Sequence, residues 1–218
     1  LRHTHKQIAW HCTHLLRHDD HSKPLILISK KATRGGTEVF VYSKDQHALF
    51  ATVVAELDRR NLNVHDAQVM SSKDGYVLDT FMVLDQHGNV IEEGRHKAVI
   101  KHLVHVLKDG RPTKIKTRRI PRKLQHFKVK TQVDFLPTKS KKRTLMEFVA
   151  LDTPGLLATV GATFADLGVH LHAAKITTIG ERAEDLFIIT SDNGGKLTEE
   201  EELQLRAELI ENVAKLAP

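Results

Sequence analysis

DTPGLLATVGATFADLGVHLHAAKI, residues Asp152–Ile176, and DQHALFATVVAELDRRNLNVHDAQV, residues Asp45–Val69, align at a constant offset of 107 without a gap. Eight of the 25 positions are identical, among them Asp45/Asp152, Leu49/Leu156, Thr52/Thr159, His65/His172 and Ala67/Ala174. Most of the remaining pairs keep their apolar or polar character. One module of about a hundred residues is therefore used twice, and its reading decides the fold.

Each copy opens on a β-type run, Glu38–Tyr42 in the first and Leu145–Leu151 in the second. A helix follows. In the second copy Thr153 is expected to cap it, with Pro154 at the first helical position, where a missing N–H costs nothing. Leu156, Val160, Phe164 and Leu167 then make one buried stripe, repeated by Leu49, Val53 and Leu57 in the first copy. Gly168 and Asn61 suit the left-handed residue that ends each helix. In the next strand Leu62 and Val64 fall out of phase with Ala67 and Val69, and Val169 and Leu171 with Ala174 and Ile176, which predicts a β-bulge in both copies.

A third strand is expected over Tyr76–Leu84 and Leu186–Thr190, then turn residues and a second helix. Val99, Leu103, Val106 and Leu107 line one of these helices. Thr198 and Glu201 form a capping box ahead of Leu205, Leu209, Val213 and Leu216 in the other. Strand-like runs also precede each copy, at Leu25–Ile28 and Val129–Leu136. The fold class that follows is α+β: two ferredoxin-like modules, each a mainly antiparallel four-stranded sheet with two helices, in the permuted order ββαββα.

Working outward, the 218 residues carry 33 Lys+Arg against 27 Asp+Glu, and the excess is local. Arg111–Arg143 holds 13 bases and one acid, Asp134, which leaves 20 bases against 26 acids elsewhere. Such a run either grips phosphates or forms a solvated connector, which Pro112, Pro121 and Pro137 suit. No apolar run approaches the ~18–20 residues needed to cross a bilayer. The lone Cys12 excludes an intrachain disulfide and a Cys-rich zinc site, and fits a reducing compartment. The start, Leu1-Arg2-His3-Thr4-His5, has neither an initiator Met nor a signal-peptide core, so the chain is read as a piece of a longer protein.

A βαββα module with Asp152-Thr153-Pro154-Gly155-Leu156-Leu157 at its first strand–helix turn resembles the ACT domain, the amino-acid-sensing module of many metabolic enzymes. Phe148–Leu157, Ala165-Asp166-Leu167-Gly168 and Ile176–Asp185 are similar, more narrowly, to the C-terminal tandem of the bacterial PII uridylyltransferase/uridylyl-removing enzyme family. Gln7-Ile8-Ala9-Trp10-His11 resembles the stretch just upstream of that tandem. The resemblance covers nearly the whole chain. It implies residues 1–22 as the helical tail of an upstream HD-type domain, 23–110 as ACT module 1, 111–128 as a basic linker and 129–218 as ACT module 2.

It also implies a function. In that family a nucleotidyltransferase domain, for which Mg2+ is expected, transfers UMP to the regulatory protein PII, and an HD-type domain removes it. Glutamine at the tandem favours removal. Neither the paired acids and Gly-rich signature of the first activity nor an HD pattern occurs here. The expectation is a cytoplasmic, non-catalytic, glutamine-sensing region without a cofactor of its own, without membrane or nucleic-acid partners, whose modules pair within a chain or across a homodimer. The alternatives are an amino-acid-binding ACT scaffold of another enzyme and an RNA-recognition-like module.

The chemistry of the Asp152 turn suits an amino acid. A helix N-terminus offers free N–H groups to an α-carboxylate. Asp152 supplies an anion for the ammonium, and Gly155 permits close approach to the backbone. A plain helix start is the competing reading. In ACT domains generally, a paired module's second strand closes the pocket. This places Asn63, whose amide both donates and accepts, opposite Asp152, Thr153, Pro154, Gly155, Leu156 and Leu157. It places His170 opposite Asp45, Gln46, His47, Ala48 and Leu49. Because Gln46-His47-Ala48 replaces Thr-Pro-Gly, the two sites are expected to differ in affinity.

Three other features have bland readings. His11, His14 and His18 share a helical face, but no ligand-spaced carboxylate or Cys accompanies them, which suits a solvated interdomain helix. His65 and His172 are read as surface or intermodule groups. Lys73-Asp74-Gly75-Tyr76-Val77 is faintly similar to an RNA-recognition motif, yet the second copy, Gly180–Glu184, lacks the stacking aromatic.

Overall fold

Period-two alternation sends Val39 and Val41 to one side of their strand and Glu38, Phe40 and Tyr42 to the other, and both sides are covered. The computed structural model describes residues 3–29, 35–110 and 129–216. Its first module comprises β1 (Leu25–Ile28), β2 (Thr37–Lys44), α2 (Leu49–Asp58), β3 (Leu62–Gln68), β4 (Tyr76–Asp85) and α3 (Glu93–Asp109), preceded by α1 (His5–Leu15). The second comprises β5 (Gln132–Leu136), β6 (Thr144–Leu151), α4 (Leu156–Asp166), β7 (His170–Lys175), the short β8 (Thr178–Ile179), β9 (Arg182–Thr190) and α5 (Glu199–Ala214). The permuted ββαββα order is the observed one. Of the basic run, residues 111–128 lie outside the described residues, as does the linker assigned to them.

All strands join one sheet in the order β1-β2-β4-β3-β7-β9-β6-β5, with β8 beside β9. Helices α2 to α5 cover one face, over Val39, Val41, Phe81, Val83, Met146, Phe148, Phe187 and Ile189. The helical stripes are buried as their spacing requires, from Leu49, Val53 and Leu57 to Leu205, Leu209 and Val213. The bulge occurs at one position in both copies, between Val64 and Asp66 and between Leu171 and Ala173. Asn61 and Gly168 take left-handed angles (φ 55° and 65°), and the Thr198–Glu201 capping box is formed.

The modules meet through β3 and β7, which pair antiparallel with Ala67 opposite Ala174. Val69 N–H donates to His172 O and Ile176 N–H to His65 O, both at 3.1 Å. These two bonds are related by the repeat itself, so the modules pair within the chain about a local twofold axis. Above the sheet α2 packs on α4, where a Cβ at Gly161 would fall 2.7 Å from Phe50 Cδ1. Only a glycine admits the phenyl ring there.

Two expectations change. First, α1 is not a solvated helix. Its buried residues are polar, Gln7 and His11, and both serve the fully buried Glu38: Gln7 Nε2 donates to Oε2 at 2.9 Å and His11 Nε2 lies 2.7 Å from Oε1. The His11 ring stacks on Phe40 at 4.0 Å. A carboxylate buried in a sheet needs such donors, and α1 supplies them. Second, β9 begins at Arg182 rather than Leu186, because Gly180 at φ 64° turns the chain back on β8 two residues earlier.

Candidate functional site

The strand–helix turns govern what each module presents at the junction. Leu156 N–H donates to Thr153 O at 3.0 Å, and Gly155 sits at φ 83°, ψ −1°. Those angles belong to the third position of a type II turn, which favours Pro before Gly. The helix therefore starts at Leu156, and Thr153 does not cap it: the turn consumes Thr153–Gly155, and the left-handed Gly155 is the N-cap with no side-chain cap bond. The first copy follows the same path, with Leu49 N–H on Gln46 O at 3.2 Å and Ala48 at φ 55°.

Across the twofold axis each turn faces the other module's strand and encloses a cleft. One, of about 460 Å³, is lined by Asp152, Thr153, Pro154, Gly155, Leu156 and Leu157, with Asn61, Asn63 and His65 opposite and Ile176, Thr178, Ala183 and Asp185 at its base. The other, of about 670 Å³, is lined by Asp45, Gln46, His47, Ala48 and Leu49 against His170 and His172, with Val77 and Asp79 at its base. The structure thus brings together every residue assigned to each site. Not all are free to act. Gln46 Nε2 donates to Leu107 O at the end of α3, and Leu49 and Leu156 are buried in the core.

The electrostatics of the first cleft are acidic. Asp152 Oδ2 accepts from Thr178 Oγ1 at 3.2 Å. Burial pushes the Asp152 carboxyl above the ordinary range, opposed by the Thr178 bond and by His65. Burial in turn lowers His65, helped by Lys175 and opposed by Asp152. The second cleft is richer in imidazoles: His170 Nε2 lies 3.3 Å from Asp192 Oδ1, and His172 Nε2 3.0 Å from Thr190 Oγ1. A carboxylate on one wall and a helix N-terminus on the same turn are chemically matched to the two ends of a small zwitterion.

Among the lining residues outside the sites assigned from sequence are His65, His172, Asp79 and Asp185. His65 and His172 sit at the bulges, which rotate them into the clefts, and their identity across the repeat is a signal that points to the junction. Asp79 and Asp185 occupy one position of the fold but are separated by 106 rather than 107 residues, so the ungapped alignment does not pair them.

Among the described residues no group of three or more His, Cys, Asp or Glu is placed to hold a metal ion, and no helix is long and apolar enough to cross a membrane. His14 is bonded to Trp10 O and His18 to Lys23 O. The sheet face that an RNA-recognition-like module would use is covered where Phe40 lies under His11, while Tyr76 stacks on Tyr42 at 5.2 Å.

Residues 144–209 match the family described as ACT domain, and the fold of both modules is the ferredoxin-like α+β arrangement of that class. The full chain is 81% identical to a protein named bifunctional uridylyltransferase/uridylyl-removing enzyme from Vibrio vulnificus (strain YJ016), and 83% identical to one of the same name from Vibrio cholerae serotype O1. All 218 residues align in both cases and make up 25% of the relative's length. The chain spans about a quarter of the curated relatives it matches. Among solved structures, aspartate kinase from Synechocystis aligns over 86% of this chain and 29% of its own at a TM-score of 0.45 and 12% identity.

Proposed function

We propose that this chain is the glutamine-sensing region of a longer cytoplasmic enzyme that attaches UMP to the nitrogen-regulatory protein PII and removes it. The chemistry, with its Mg2+, belongs to other parts of that enzyme, and this region is non-catalytic. One observation carries the reading: each cleft is built from a turn of one module and a strand of the other. A ligand held there touches both modules and stabilises one relative arrangement of them. Glutamine fits the Asp152 cleft by its chemistry. Its ammonium faces Asp152, its carboxylate the start of α4, and its side-chain amide Asn63. The high identity to relatives named as uridylyltransferase/uridylyl-removing enzymes supports the choice of parent activity.

Titration calorimetry of the chain with glutamine tests this. Binding heat is expected, and Gly155→Val should abolish the Asp152-cleft component, because a β-branched residue cannot hold the left-handed angle there. Asn63→Ala should weaken glutamine without creating affinity for glutamate. Equal binding of glutamate by the unmodified chain would instead favour a general amino-acid-binding scaffold. Incubation with UTP, Mg2+ and PII should give no UMP transfer.

A further inference from the structure

Asp79 and Asp185 are one residue of the fold seen twice. Asp79 pairs with Val41 and Asp185 with Phe148, and those partners are themselves equivalent. Asp79 Oδ1 accepts Met70 N–H at 3.2 Å, and Asp185 Oδ1 accepts Thr177 N–H at 3.1 Å, again from equivalent positions. Exposures are 0% and 2%. Each lies at the base of a cleft, near the turn carboxylate Asp45 or Asp152. The second oxygen of Asp79 is buried and has no hydrogen-bond partner. Valine would fill such a strand position without this cost, so the carboxyl is accounted for by what enters the cleft above it.

We propose that Asp79 and Asp185 are proton-exchange groups of the two clefts: entry of an ammonium-bearing amino acid beside Asp45 or Asp152 expels the proton that the buried carboxyl holds in the empty protein. The inference rests on the reading of the clefts as amino-acid sites. The carboxyl O–H bond breaks, its electron pair stays on oxygen, and the proton leaves to solvent while the ligand ammonium keeps its own. The ligand ammonium takes the place of the proton beside the two carboxyls, while the ligand carboxylate lies at the helix start. The occupied cleft is therefore one charge more negative than the empty one, and the released proton balances it in solvent. Burial is the first cause that holds the proton, with the neighbouring turn carboxylate adding to it. Asp185 is pushed up to about 7 and Asp79 up to about 8, each opposed only by its backbone N–H bond.

Asp152, from the β6–α4 turn, acts on Asp185, and His65 from β3 and Asp58 from α2 line the same cleft, with Lys175 from β7 acting on His65. Asp45 acts on Asp79, and His47, His170, His172 and Asp192 line that cleft. A protonated His65 would also be displaced by a cation, so the test must separate it from Asp185.

Calorimetry of the chain with L-glutamine, in buffers of different ionisation enthalpy, reads the proton directly. Near pH 6, release approaching one proton per ligand is expected at the Asp152 cleft, fading near pH 8; affinity should rise up to ~10-fold per pH unit below about pH 7. Asp185→Asn should keep glutamine heat but lose the release at the Asp152 cleft, and His65→Gln should leave that release in place; Asp79→Asn should remove the release at the other cleft in the same way. Glutamine heat without proton release overturns the inference and leaves the site reading standing. Absence of heat in every buffer overturns both. Release that survives Asp185→Asn but is lost in His65→Gln assigns the proton to the imidazole and overturns the inference. Should Asp185→Asn fail to fold, carbon-13 NMR of the unmodified chain decides: one buried aspartate carboxyl should move from protonated to ionised as glutamine is added, and an unmoved signal overturns the proposal.

Discussion

The turn Thr153–Leu156 and the turn Gln46–Leu49 trace one path with different residues. The second module places Gly155 at φ 83°, whereas the first holds Ala48 at φ 55°. An alanine there costs roughly 1–2 kcal/mol, and such strain persists only where the surroundings over-determine the backbone. The turn is therefore dictated by the fold, through the strand before it and the helix after it. The residue at its left-handed position sets how closely a ligand can approach the backbone at the helix start. The same contrast runs across the axis, where Asn63 stands in one cleft at the position that His170 takes in the other.

The packing of α2 on α4 is where the asymmetry is most exposed. Gly161 lies under Phe50, while the equivalent position in α2 is Val54. Gly161→Val is expected to cost about 3 kcal/mol by overpacking, since its Cβ would meet Phe50 Cδ1 at 2.7 Å and Ala51 Cα at 3.3 Å. Denaturant unfolding of this variant and of Gly161→Val/Phe50→Ala checks it. Loss of the penalty in the double variant, beyond the sum of the single changes, would tie the cost to this contact.

The buried carboxyls separate the two modules by pH. A carboxyl that keeps its proton to higher pH when folded loses stability as pH rises, from its ordinary 3.8 up to about 7 for Asp185 and about 8 for Asp79. His65 and His172, both lowered by burial, act in the opposite sense below their ordinary 6.5. Above that only the carboxyls remain, and Asp79 should cost about 2 kcal/mol between pH 6.5 and 8, at up to ~1.4 kcal/mol per pH unit. Urea unfolding across this range should show a decline that Asp79→Asn removes and that Asp185→Asn leaves in place above pH 7. Identical profiles for the two variants would erase the distinction between modules.

Much of the architecture was legible because the repeat and the helical stripe are written in apolar residues at regular spacing. Leu156, Val160 and Phe164 announce a buried face, and the Leu171–Ala174 slip announces the bulge. The clefts were legible from the position of Asp152 and Asn63 in the repeated topology. Asp79 and Asp185 were not, because the connection into β9 is one residue shorter than that into β4 and shifts the register to 106. The docking of α1 was hidden for a different reason. Its contacts, Gln7 and His11 on Glu38, are polar pairs that leave no hydrophobic period to read.

At Gly155 a methyl group isolates the strain from bulk. Gly155→Ala should destabilise the chain by about 1–2 kcal/mol and weaken glutamine at the Asp152 cleft, with the other cleft unchanged. Thermal unfolding and calorimetry on one preparation read both. A variant as stable as the parent would mean that this turn relaxes out of its left-handed angle, and the equivalence of the two turns would fail.

The reciprocal change carries the smallest effect and the most information. Ala48→Gly relieves a left-handed alanine, worth about 1–2 kcal/mol, but loosens the unfolded chain, which costs about 0.4–1 kcal/mol. The net expectation is a gain of roughly 0.5–1 kcal/mol, seen as a small rise in urea midpoint with an unchanged slope. The ligand outcome separates two causes of unequal clefts. If the Ala48 methyl alone limits approach to the first turn, Ala48→Gly should raise glutamine affinity at the Asp45 cleft toward that of the Asp152 cleft. If recognition depends on the opposing strand, stability will rise without tighter binding, and His170→Asn, which copies Asn63 across the axis, becomes the substitution that equalises them. His170 is exposed at the start of β7, where its imidazole reaches Asp192 Oδ1 at 3.3 Å, so this second change should leave folding stability within about 0.5 kcal/mol.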